Sequence, residues 1–152
     1  MPEMTEEQFT TEAAAFLDTH GSRKAERKAF VWGEGPDNAA MFEEVDREKE
    51  QLDLASAKEW RAKKFDAGFG WISGPAELGG GGHPRRFERM WANLESQYDV
   101  PDNGFFGIGL GMVVPTILAH VKPEVVADLL PTMYTADRIV FQLLSAPGAG
   151  SA

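Results

Sequence analysis

Along most of this chain the apolar positions recur at helical spacing. Phe9, Ala13, Phe16 and Leu17 stand three and four residues apart, which predicts one buried stripe on a helix. Thr5 with Gln8 three residues on is a capping-box pattern, Glu6 and Glu7 suit the first turn, and Gly21 is a stop signal. The stretch from Phe30 to Pro36 breaks both periodicities and reads as a hinge. Asp37 then predicts a helix start near Asn38 with Met41, Phe42 and Val45 as its stripe. The mixed charges of 43–50 read as a solvated face. Leu52, Leu54 and Ala55 restart the apolar pattern, and Trp60, Lys64 and Phe65 carry it on to Gly68.

Beyond Gly68 comes a loop with Phe69, Trp71, Ile72 and four consecutive glycines, 79–82. A phosphate loop needs Lys and then Ser or Thr after the glycines. His83 and Pro84 follow instead, so the loop reads as an aromatic anchor beside a permissive turn. Trp71 and Phe69 are expected to pack beside the helix of Trp60 and Phe65. Pro84 opens a further helix with Phe87, Met90, Trp91 and Leu94. Residues 105–121 are apolar almost throughout, which predicts a helix in the middle of a bundle. Pro123 starts another, with Val125, Val126, Leu129, Leu130 and Met133 facing the core. The run 139–144 reads as a short buried strand with no sheet partner in the chain.

The predicted fold is therefore all-α, a bundle of about six helices with one terminal β-strand. That lone strand suggests a domain at 1–137 and, at 138–152, the interrupted start of a β-rich domain. The length of 152 residues suits one domain, and 43% hydrophobic against 26% charged residues is ordinary globular usage.

Charge and candidate chemistry narrow the function classes. Fifteen Lys and Arg against 24 Asp and Glu give a net charge of −9, which disfavours a nucleic-acid partner. No apolar run is long enough for a membrane span, no secretory signal opens the sequence, and there is no cysteine. These features point to a cytoplasmic protein without disulfides. The basic group Arg23, Lys24, Arg27 and Lys28 reads either as a solvated connector or as an anion contact. His20, His83 and His120 lack metal-pair spacing, and the serines lack a nucleophile elbow. Composition and spacing alone name no enzyme.

Three segments, in order, resemble the acyl-CoA dehydrogenases. Residues 57–82, AKEWRAKKFDAGFGWISGPAELGGGG, are similar to that family's helix-plus-loop. Residues 107–120, GIGLGMVVPTILAH, resemble its central N-domain helix. Residues 142–151, QLLSAPGAGS, resemble its flavin-contacting strand and loop, from which the chain departs with Ala146 and Ala152 at two acidic positions. Gly74 and Leu78 also stand where aromatics are usual.

The resemblance implies an FAD-dependent α,β-dehydrogenation of an acyl-CoA thioester. The chain would be the N-terminal helical domain, with no catalytic base of its own. In the family the α-proton goes to a glutamate of a C-terminal domain. By the same resemblance, Gln142, Leu144, Ser145, Gly150 and Ser151 would contact FAD. Gly111, Met112 and Ser151 would contact substrate. The expected partners are an acyl-CoA and the remaining domains or a partner subunit of such an enzyme. The alternative is a non-catalytic helical subunit, or a degenerate remnant, that binds an acyl-CoA dehydrogenase-like partner.

Overall fold

A computed structural model of the chain describes residues 4–25 and 46–141. The expected helix start at Asp37, with Met41, Phe42 and Val45, lies outside those residues. So do Arg27, Lys28 and the 142–144 part of the expected strand.

The first helix, α1, spans Glu6–His20. Thr5 accepts from the Gln8 N–H while the Gln8 side chain accepts from the Thr5 N–H, so the capping box closes as the sequence predicts. Gly21 ends the helix by donating to the Leu17 carbonyl. Its buried face is Phe9, Ala13 and Leu17. After it, Ser22–Arg23 (β1) pairs antiparallel with Tyr98–Asp99 (β2). The sequence reading misses this two-residue ladder, because two residues carry no period to read.

Helix α2 runs Arg47–Asp66, capped by the Asp46 carboxylate on the Glu48 N–H. Its buried stripe is Ala57, Trp60, Arg61 and Lys64, spaced as i, i+3, i+4 and i+7. The N-terminal half is solvated. Leu52 is 69% exposed and Ala55 is exposed, so of the expected restart only Leu54 is partly buried.

Helix α3 is Arg86–Glu95, α4 is Val114–His120 and α5 is Pro123–Tyr134. The fold is all-α, with five α-helices among the described residues. Two main apolar clusters hold it. One joins α1, α2 and α3 through Phe9, Leu17, Trp60, Phe87, Trp91 and Tyr98. The other joins α4 and α5 to the loop after α2 through Trp71, Val114, Ile117, Leu130, Met133 and Tyr134. Phe69 packs on the first cluster and Trp71 sits in the second, with Phe65 against it. The loop aromatics thus serve as the expected anchor, but they divide between two cores.

The glycine loop is closed on itself. Gly79, Gly80, Gly81 and Gly82 donate to the carbonyls of Ala76, Pro75, Trp71 and Gly74, respectively. All four N–H groups are spent internally, which leaves no cradle for a phosphate. Gly80 is required by contact: a Cβ there would lie 2.3 Å from the Gly74 carbonyl carbon.

Residues 107–120 form one continuous helical path, widened over Gly109–Val113 into a π turn. The Val114 N–H reaches back five residues to the Gly109 carbonyl. Pro115 follows at once and has no N–H to give, so the tighter helical register is interrupted there. The expectation of a helix surrounded by the bundle is corrected. Only one side is covered, and Ile108 and Met112 are 51% and 56% exposed. Val125 of α5, expected in the core, is also half exposed. Ile139, Val140 and Phe141 belong to no strand.

Candidate functional site

Of the sequence-predicted site residues, Gly111 and Met112 are described and adjoin on the exposed side of the π turn. Gly107, Ile108, Gly111 and Met112 stand four apart in pairs, which puts them on one strip. A Cβ on Gly107 or Gly111 would meet nothing within 4 Å. The opposite side is closed: Gly109 is buried, and a Cβ there would lie 3.2 Å from the Val140 carbonyl oxygen. Val140 therefore packs on the side opposite the strip. Gln142, Leu144, Ser145, Gly150 and Ser151 lie outside the described residues.

The basic group is partly used up by the fold. Arg23 pairs with Asp18 at 3.1 Å, and Lys24 Nζ donates to the Ser96 carbonyl. Lys24 holds the end of the β1–β2 ladder, and Arg23 ties β1 to α1. His20 packs on Phe16, and His83 meets Phe9 and Phe87 edge-on. Among the described residues no group of three or more His, Cys, Asp or Glu is placed to hold a metal ion, and no helix is long and apolar enough to cross a membrane.

A second constellation lies at the junction of the two cores. Lys64 is buried, and its Nζ donates to Glu95 Oε1 at 2.8 Å. The same oxygen accepts from Trp60 Nε1 at 2.9 Å, and Oε2 accepts from Trp91 Nε1 at 3.0 Å. One carboxylate thus gathers an ammonium and two indoles. Arg61, one turn before Lys64, is also buried. Its Nε donates to the Tyr134 carbonyl and its Nη2 to the Gly70 carbonyl. Its guanidinium lies 5.8 Å from the centroids of Phe106 and Tyr134. Burial pulls the affinity of both cations for their protons down, and for Lys64 the neighbouring Glu95 opposes that shift.

A cavity of about 180 Å³ opens beside this cluster. Its lining includes Lys64, Phe69, Trp71, Trp91, Tyr134 and Glu88. Trp71 stacks on Tyr134, and Phe69 on Trp91 with centroids 4.5 Å apart. Glu88 is exposed and accepts from the Ser73 N–H and hydroxyl. The sequence reading places Lys64 on the right helix but assigns it no role. The available signal is its position: a lysine four residues after Trp60 on an apolar stripe has to be buried or to snorkel.

Comparison with family models, with curated proteins and with solved structures finds no match to this chain.

Proposed function

We propose that the chain is the helical part of an FAD-dependent acyl-CoA dehydrogenase, and that the strip Gly107, Ile108, Gly111 and Met112 forms a wall of the acyl site. The observation that carries the reading is the open, apolar and small-residue character of that strip. Apolar surface left in water forgoes roughly 25 cal/mol per Å² of burial, and exposed apolar patches mark contact surfaces. The two glycines offer close approach to an alkyl chain, and Ile108 and Met112 offer dispersion contact.

The resemblance adds the Gln142–Ser151 segment, which follows Val140 in the chain. That segment carries the groups suited to a flavin: the Gln142 amide, the Ser145 and Ser151 hydroxyls, and the N–H of Gly150. FAD, when bound, supplies the hydride acceptor. The chain's own residues hold and orient, and the proton acceptor comes from another part of the enzyme.

The test is to purify the tagged chain with whatever it binds in its native cell and to record the flavin absorption band. A flavin band that an acyl-CoA bleaches, more slowly in Met112→Lys, supports the reading. A preparation without flavin overturns it and leaves the chain as a non-catalytic helical subunit.

A further inference from the structure

We propose that the cavity between the two aromatic stacks is a binding site for a small organic carboxylate, held by Lys64 and enclosed by Phe69, Trp71, Trp91 and Tyr134. This inference stands apart from the flavoprotein reading and does not need it.

Three observations carry it. The first is shape. A cavity of about 180 Å³ is of the size that takes a single ring or a short alkyl chain, since a dry cavity on the order of 150 Å³ holds benzene. Its lining includes four aromatic side chains, and they are held in place: Trp71 by the stack on Tyr134, and Trp91 by the stack on Phe69.

The second is charge. Arg61 and Lys64 are 7% and 5% exposed, and among the described residues the carboxylate that Lys64 meets is Glu95, whose side chain is 16% exposed. Arg61 is met by carbonyls and ring faces, with no carboxylate bonded to it among the described residues. The interior therefore carries an excess of positive charge in a medium where charge interactions are strong, and an incoming anion offsets it.

The third is unused donor capacity. An ammonium has three N–H groups. Lys64 uses one, on Glu95 Oε1, and no other hydrogen-bond partner of its Nζ exists among the described residues. A ligand carboxylate can take another without displacing Glu95, while the ligand's apolar body packs against the aromatic lining. Exposed Glu88 at the rim carries the ligand's own sign, so it selects against more highly charged anions.

The probe is benzoate, titrated into the full chain while the indole N–H signals are followed by NMR, with benzylamine and toluene as the cationic and neutral counterparts. Benzoate is expected to shift the Trp71 and Trp91 signals saturably, and to bind more tightly than the other two. Lys64→Met is expected to weaken benzoate by about tenfold or more, the worth of one charge-assisted hydrogen bond. Glu88→Gln, at an exposed rim position, is expected to tighten it. Should Lys64→Met fail to fold, Glu88→Gln decides. Tighter binding supports the proposal, and unchanged or weaker binding overturns it. No saturable shift with benzoate, tighter binding of benzylamine or toluene, or a folded Lys64→Met that binds as before also overturns it.

Discussion

The indole of Trp71 lies flat on the phenol ring of Tyr134, with centroids 4.2 Å apart and planes 11° from parallel. Trp71 comes from the loop after α2 and Tyr134 from the last turn of α5, so the stack joins distant parts of the chain. Arg61 ties both down from behind, because it bonds the carbonyl of Tyr134 and that of Gly70, the residue before Trp71. One guanidinium therefore sets the spacing of the two rings.

Arg61→Met is expected to loosen this joint. It leaves two carbonyls without their donors, at about 1–3 kcal/mol for each one that stays buried. Arg61→Lys should recover only part of the loss, because a point-like ammonium cannot span two carbonyls as a planar fork does. Urea midpoints should rank wild type above Arg61→Lys, and Arg61→Lys above Arg61→Met. Equal midpoints for the two variants would remove the bridging role.

Glu95 is the hub of the other joint. Glu95→Ala strands the buried Lys64 charge and two indole N–H groups at once, and breaking a buried pair from one side costs about 3–5 kcal/mol. The exposed Glu59–Lys63 pair, on the helix that carries Lys64, serves as the control, and Lys63→Ala should leave the midpoint where it is. If Glu95→Ala is equally silent, the cluster does not hold the two cores together.

Legibility in the sequence followed period and local chemistry. The Thr5–Gln8 box, Gly21 and the Phe9–Ala13–Leu17 stripe could be read because each signal is short-range. The exposed side of 107–120 could not. An apolar composition says that a surface avoids water, but not whether this chain or another covers it. The π turn depends on how Pro115 disturbs a register that is invisible in the composition. The burial of Arg61 and the role of Lys64, itself already on the apolar pattern, were hidden for a different reason. Their burial rests on Glu95, Gly70 and Tyr134, three partners from three separate places in the chain. The resemblance named Gly111 and Met112, but the openness of their strip and the aromatic cavity come from geometry alone.

The glycines give a sharp contrast. Gly80→Ala sets a methyl against the Gly74 backbone, which has no flexible end to move aside, so overpacking of about 1–3 kcal/mol is expected. Gly111→Ala enters open space in a helical stretch and should stabilise by roughly 0.5–1 kcal/mol. Thermal melts of the two variants should move in opposite directions. If both fall, the strip at Gly111 is covered by something in the folded chain.

The two tyrosines allow a direct reading of the electrostatics, because the chain has only two. Burial pushes Tyr134 up to about 12 from an ordinary value of 10.0. Tyr98 is raised as well, chiefly by the hydrogen bond its hydroxyl donates to Asp18, and burial of its ring adds to this. Both are neutral acids whose folded values exceed the unfolded ones. The folded chain therefore holds more protons than the unfolded chain above pH 10.0. Their contribution to stability is complete below that pH and is lost as the pH climbs through the folded values, the last of it near 12 for Tyr134. A phenolate absorbance titration of the native protein should accordingly lie above that of the urea-unfolded protein, with Tyr134 last to ionise. Asp18→Asn removes the acceptor charge and should bring Tyr98 down while Tyr134 stays in place. If Tyr134 ionises at the ordinary tyrosine value in the folded protein, then its ring is reached by water, and the stack on Trp71 does not persist in solution.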